Sequence, residues 1–220
     1  MSEYTEILKK YWGYASFRFL QEDIIQSVAS GNDTLGLLPT GGGKSLIFQV
    51  FSLSKPGLCV VVTPLIALMK DQVENLKRRG IKAQAIYSGM TREEIKVAYD
   101  NVTWGDYKFL YLSPERLMTG RFTERLDKLN VNLIAVDEAH CISQWGYDFR
   151  PSYLKIADLR ELIPDAPVLA LTATATPKVV DDIQEKLQFK KKHVLQKSFK
   201  RDNLIYKVRE EENKIGFLSR

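Results

Sequence analysis

Six short apolar runs, spaced along the chain with helical patterns between them, limit the possible folds most strongly. The strand-like runs are 33–38 (DTLGLL), 58–63 (LCVVVT), 83–87 (AQAIY), 108–112 (KFLYL), 132–136 (NLIAV) and 167–172 (PVLALT). Between them, apolar residues recur three and four apart. Over 65–79, Leu65, Leu68, Met69, Val73 and Leu76 make one stripe, with Pro64 near the helix start. Over 176–187, Thr176 and Pro177 form an N-cap and first turn, and Val180, Ile183 and Leu187 line up behind them. Strands and helices that alternate in this way predict an α/β fold with a mostly parallel central sheet and helices on both faces. A chain of 220 residues suffices for one sizeable core.

Between the first run and the next helix lies LLPTGGGKSLIF, residues 37–48. It nearly matches the phosphate-cradling pattern G-x-x-x-x-G-K-[ST], except that the first Gly falls on Leu38. The context is the one the motif requires, since a strand precedes it and a helix striped by Leu46, Ile47, Val50 and Phe51 follows. Thr40 leads into Gly41, Gly42 and Gly43, which let backbone N–H groups converge on an anion. The helix N-terminus adds positive potential, Lys44 a point charge for the outer phosphates, and Ser45 a hydroxyl for Mg²⁺. A flexible Gly turn with a surface Lys would look similar in isolation. The distinguishing partner is LIAVDEAH, where an apolar strand ends in Asp137 and Glu138. Ligands bind at the carboxyl ends of strands in open α/β sheets. There Asp137 can hold Mg²⁺, and Glu138 can position or deprotonate an attacking water.

Composition adds less. Lys and Arg exceed Asp and Glu by 32 to 27, a net +5, which only leans towards polyanions. Cys59 and Cys141 form no C-x-x-C pair, so neither zinc nor a redox motif is indicated, and the usage fits a reducing compartment. The N-terminus has acidic residues and no long apolar core, unlike a signal peptide, and no run approaches the ~18 apolar residues of a membrane span. The stretch 189–200 (FKKKHVLQKSFK) looks like a basic, solvated edge, with His193 simply solvated. Past about 205 the pattern thins into a connector.

At this point the chain resembles the superfamily-2 helicases and, within them, the RecQ DNA helicases. FRFLQEDII (17–25) is similar to the RecQ motif before the phosphate loop, and LPTGGGKS (38–45) to motif I. TPLIALMKDQ (63–72) is similar to motif Ia, LSPERL (112–117) to the next DNA-side motif, and LTATATP (171–177) to motif III. DEAHCISQWGYDFRPSY (137–153) resembles the DEAH box running into the family's aromatic-rich loop, and SFKRDNL (198–204) the close of the first motor domain. The family often has Pro-Gly where this chain has Phe19-Leu20, and Arg-Pro-Asn where it has Arg201-Asp202-Asn203.

The resemblance implies a RecA-like P-loop domain over residues 1–205 and, over 206–220, the start of a connector to a second motor domain. It implies ATP and Mg²⁺ as cofactors, and DNA, single-stranded and forked, as partner. A second RecA-like domain of the same polypeptide would complete the site, with 3′-to-5′ movement. Expected surroundings are cytoplasmic at the nucleoid, or nuclear in a eukaryote, with no membrane and no zinc in this segment. Gln21 would read an adenine edge, with Tyr14 stacked on the base and Arg18 nearby; a half-exposed Gln is the plainer alternative. Thr63, Pro64, Ser113 and Arg116 would meet one DNA strand, although Arg116 also suits a surface charge. Trp145, Phe149 and Arg150 would stack on bases, with Gln144 relaying DNA contact to the ATP site; core packing would serve Phe149 equally. His140 would bridge to motif III through Thr172 or Thr174, and a metal-ligand role for it is not expected without a second His or Cys cluster. The competing readings are an RNA-dependent ATPase of the same superfamily and a non-enzymatic DNA-binding scaffold that keeps the motor fold.

Overall fold

The computed structural model describes residues 2–117, 119–173 and 175–196. The expectations for Thr174, 198–204 and 206–220 concern residues outside these. The helices are α1 (Glu3–Trp12), α2 (Gln21–Ala29), α3 (Lys44–Leu53), α4 (Ile66–Arg78), α5 (Arg92–Trp104), α6 (Gly120–Thr123), α7 (Lys155–Leu162) and α8 (Pro177–Lys186). The strands are β1 (Thr34–Leu37), β2 (Leu58–Val62), β3 (Ala83–Ile86), β4 (Phe109–Leu112), β5 (Val131–Val136), β6 (Val168–Thr172) and β7 (Val194–Gln196). They form one sheet in the order β3-β4-β2-β5-β6-β1-β7, and every pairing is parallel. The six expected strands are present to within a residue or two at each end.

A seventh strand, not anticipated, lies within the basic stretch 189–200 and forms one edge of the sheet. Its residues pair with β1 from Leu35↔Val194 to Leu37↔Gln196. The backbone of His193 is also engaged, its N–H donating to Gln184 Oε1 at 2.8 Å and its carbonyl accepting from Leu35 N–H at 3.0 Å.

Each strand feeds two cores because successive side chains point to opposite faces. On one face, Leu35, Val60, Leu110, Ile134 and Val168 pack under α5, α7 and α8. On the other, Val61, Tyr111, Leu133 and Leu169 pack under α2, α3 and α4. The second face carries a polar thread. Gln49 of α3 donates through Nε2 to the Tyr111 hydroxyl at 3.2 Å, and that hydroxyl donates to Gln72 Oε1 of α4 at 3.0 Å.

Parallel strands put all their amino ends on one edge. That edge is fastened by Asp33, just before β1. Its carboxylate accepts from Arg160 Nη2 at 2.6 Å, from Lys190 N–H at 2.7 Å and from Val168 N–H at 3.0 Å. One buried side chain thus ties the starts of β1 and β6, the turn before β7, and α7. Among the described residues no helix is long and apolar enough to cross a membrane.

Candidate nucleotide and DNA site

The opposite edge, at the carboxyl ends of the strands, gathers the sequence-predicted residues. Leu38 leaves β1 fully buried, its N–H bonded to Thr172 O at 3.2 Å, so the position where the template has Gly serves as core. The chain then turns through Pro39, whose carbonyl accepts from Gly42 N–H at 2.9 Å. Gly41 and Gly43 take left-handed backbone (φ 78° and 69°), which β-carbon-bearing residues adopt only at a cost. Gly43 caps α3 directly, so Lys44 and Ser45 occupy its first turn, beside the exposed Thr40. This is the geometry of an anion cradle at a helix N-terminus.

Gln21 is buried and holds this loop from below. Its Nε2 donates to Gly42 O at 3.0 Å and to Gly43 O at 3.2 Å, while its Oε1 accepts from Arg18 N–H at 2.9 Å. The amide expected to face a base is here committed to backbone. It still lines a cavity of about 240 Å³ with Trp12, Tyr14, Arg18, Gly41, Gly43 and Gln49. Tyr14 is half exposed, with the Arg18 guanidinium 5.8 Å from its ring centre. Trp12 and Gln49 were not anticipated, since nothing in their spacing separates them from helix packing. Phe19, where the family often has Pro, stands at φ +50°, a value closed to proline, so the loop before α2 takes its own path.

Asp137 ends β5 in a buried position. Among the described residues its carboxylate accepts one hydrogen bond, from Glu138 N–H at 3.0 Å. Burial and the neighbouring Glu138 charge push it up to about 6, against the opposing pull of Lys44. A buried carboxylate with spare lone pairs and too little positive charge around it suits a hard cation. Its carbonyl accepts from the buried Tyr153 hydroxyl at 3.0 Å, an anchor that sequence spacing did not suggest. Glu138 sits in left-handed backbone (φ 47°, ψ 46°), which turns the chain sharply off the strand. Non-Gly residues in that region cost about 1–3 kcal/mol and cluster at functional sites.

His140 is buried beside Glu138. Its Nδ1 lies 2.8 Å from Thr172 Oγ1 and 3.3 Å from Glu138 Oε2, so the expected bridge from the DEAH box to motif III forms at Thr172. Burial lowers its pKa, against the raising influence of Glu138 and Asp148, which favours the neutral ring. Its face stacks on Tyr147 at 4.5 Å.

The aromatic loop follows. Trp145 is 60% exposed and Tyr147 78% exposed. The Lys178 ammonium of α8 covers the Trp145 ring at 3.1 Å from its centre. Phe149 is half-buried, with Lys186 5.8 Å from its ring centre, while Gln144 is exposed. Arg150 pairs with Asp148 through Nη2 at 3.0 Å and donates through Nη1 to Pro64 O at 3.3 Å. The loop is thereby strapped to the motif Ia corner. The side chains of Thr63 and Ser113 are buried and that of Arg116 half-buried, so Thr63 and Ser113 could meet a strand only through backbone.

A family model described as DEAD/DEAH box helicase matches residues 18–183. The chain is 45% identical over 214 residues to the ATP-dependent DNA helicase RecQ of Bacillus subtilis (strain 168), covering 96% of this chain and 36% of that protein. It is 43% identical over 214 residues to the ATP-dependent DNA helicase RecQ of Haemophilus influenzae, covering 97% and 35%. The chain thus spans about a third of the length of the curated relatives it matches. Among solved structures, the helicase Lhr of Mycobacterium smegmatis, bound to single-stranded DNA and AMP-PNP, superposes with a TM-score of 0.70 at 20% identity, covering 90% of this chain and 28% of that one. That likeness bears on the fold alone.

Proposed function

Since the chain belongs to the DEAD/DEAH box helicase family, we propose that it is the first motor domain of an ATP-dependent DNA helicase of RecQ type. The observation that carries this reading is the gathering of three elements on one sheet edge. These are the glycine cradle with Lys44, the Asp137–Glu138 pair, and an aromatic loop whose Arg150 reaches Pro64.

ATP binds over residues 40–45, with Lys44 facing the outer phosphates. Tyr14, Arg18 and Gln21 line the cavity for its base. Gln21 contributes there by shaping the loop, and its Oε1 has one lone pair left for a base donor. Ser45 and Asp137 are the residues that would hold Mg²⁺, which supplies neutralising charge at the phosphates. Glu138 orients and deprotonates the attacking water, and neutral His140, fixed on Thr172, holds the Glu138 carboxylate from the other side. Thr174 belongs to the same motif III link. DNA stacks on Trp145 and Phe149 and meets backbone at Thr63, Pro64 and Ser113, with Arg116, Gln144 and Arg150 at its phosphates. Phosphoryl transfer is mostly positioning and charge stabilisation, and an Arg from a second motor domain of the same polypeptide would add roughly 10³- to 10⁵-fold.

The test is ATP hydrolysis by the full-length protein with and without single-stranded DNA, beside Lys44→Ala. Strong stimulation that the variant abolishes supports the reading. Hydrolysis indifferent to DNA, or stimulated better by RNA, overturns its DNA half. Absence of hydrolysis under every condition overturns the motor itself.

A further inference from the structure

The turn after the DEAH box brings Asp148 back to the adjacent residues His140 and Cys141, so that three ligand atoms meet. Cys141 Sγ lies 3.8 Å from His140 Nε2 and 3.7 Å from Asp148 Oδ2, and all three atoms fall within 4.8 Å of one another. A tetrahedral ion with bonds of about 2.0–2.3 Å holds neighbouring N, S and O ligands about 3.5 Å apart. The two separations from Cys141 need only a few tenths of an ångström of closure, and the pair His140–Asp148, within 4.8 Å, needs up to about an ångström more, a movement open to the half-exposed Asp148.

The tautomer of His140 suits this role. Glu138 Oε2, an acceptor only, sits 3.3 Å from Nδ1, which places the ring proton on Nδ1 and leaves a lone pair on Nε2, aimed at Cys141. A ligand histidine typically has its other nitrogen held in this way by a carboxylate or hydroxyl, and Thr172 and Glu138 provide both. Asp148 is steadied by Arg150. His140 lines an open cavity of about 410 Å³ with Trp145, Tyr147 and Thr176, and the Asp148 side chain is about half exposed, so an ion would approach from these two sides with Cys141 buried behind them.

We propose that His140, Cys141 and Asp148 form a site for a thiophilic divalent cation of the Zn²⁺ class, distinct from the oxygen-rich Mg²⁺ position at Ser45 and Asp137. A mixed N, S, O set favours such ions over Mg²⁺. Binding replaces the thiol proton by the metal and releases that proton to solvent, so affinity rises with pH. The ion would draw Asp148 towards His140 and away from Arg150, the residue that straps the loop to Pro64. It would therefore tether Asp148 of the aromatic loop to the turn after the DEAH box while weakening the Arg150 strap, and its expected effect is inhibitory.

The site does not depend on the helicase reading, and its test uses no turnover. Cobalt(II) chloride is titrated into the reduced protein and absorbance is followed. A thiolate-to-cobalt charge-transfer band with tetrahedral d–d bands is expected, saturating at one ion per chain and displaced by zinc chloride. Cys59→Ala should keep the band, Cys141→Ser should lose it, and Asp148→Asn should weaken binding by at least about tenfold. No thiolate band in the wild type, or the same band in Cys141→Ser, overturns the proposal. If Cys141→Ser fails to fold, the half-exposed Asp148 decides the matter, and unchanged affinity in Asp148→Asn overturns it.

Discussion

Asp33→Asn isolates the fastening of the sheet edge that lies away from the site. The substitution preserves volume, so no cavity opens, but it leaves Arg160 without its charge partner. The two side chains are 1% and 7% exposed and meet at 2.6 Å. Stripping one partner from a buried pair costs about 3–5 kcal/mol, because the survivor stays buried and charged. Total stability for a domain is about 5–15 kcal/mol, so roughly a third is at stake. At about 2–4 °C per kcal/mol for a chain of this size, the melting midpoint should fall by about 6–20 °C. Urea unfolding followed by circular dichroism should show a lower midpoint at unchanged slope. Adding Arg160→Met removes the stranded charge, so the double variant should lose less than the sum of the singles by about 2 kcal/mol or more. A loss under about 1 kcal/mol, or strict additivity, refutes the reasoning. The sign with pH is also set. Burial opposes ionisation of Asp33, but Arg160 and the N–H groups of Lys190 and Val168 outweigh it and hold the carboxyl below its ordinary 3.8. The stabilisation is therefore present above the unfolded value and is lost as pH falls through the lower folded value. Asp33→Asn should lack that acid limb.

Three other outcomes are expected. Glu138→Asn should abolish hydrolysis yet raise the melting midpoint by about 1–4 °C, because Asn tolerates left-handed backbone and relieves Asp137 of a like charge; a lower midpoint would count against the strain. Lys178→Met should expose Trp145, and acrylamide quenching of tryptophan fluorescence should increase; an unchanged quenching constant would show that the ammonium does not cover the ring. Mg²⁺-supported nucleotide binding should weaken as pH falls below about 6, where Asp137 takes up a proton, while metal-free binding should not; a titration of both by fluorescent ATP analogue decides it.

Much of this was legible in the sequence because the relevant signals are periodic or local. Continuous apolar runs such as LCVVV and FLYL, set between helical patterns, gave the strands, and the run from Gly41 to Ser45 carries its own geometry. β7 escaped notice because three pairing residues sit among lysines, and at an edge the backbone, not apolar side chains, makes the strand. Gln21 was expected to face a base, and that its amide meets the carbonyls of Gly42 and Gly43 depends on how closely α2 approaches the cradle, a tertiary distance. The contacts of Cys141 with Asp148 arise from the 3₁₀ turn over Ala139–Ile142 and the irregular return behind it, where no residue period applies. Asp33 looked like the first residue of a strand, and its partners lie more than 120 positions away.

The Gln49–Tyr111–Gln72 thread has a mechanical consequence. A single hydroxyl receives a proton from one amide and gives its own to another, so the chain has a direction and cannot stretch at one end without loosening the other. Sliding α3 by an ångström relative to α4 would strand buried polar groups, at about 1–3 kcal/mol each. The helix that opens at Lys44 and the helix that begins beyond Pro64 are thus geared together. A displacement imposed at the cradle is therefore expected to be felt at the strap between Pro64 and Arg150.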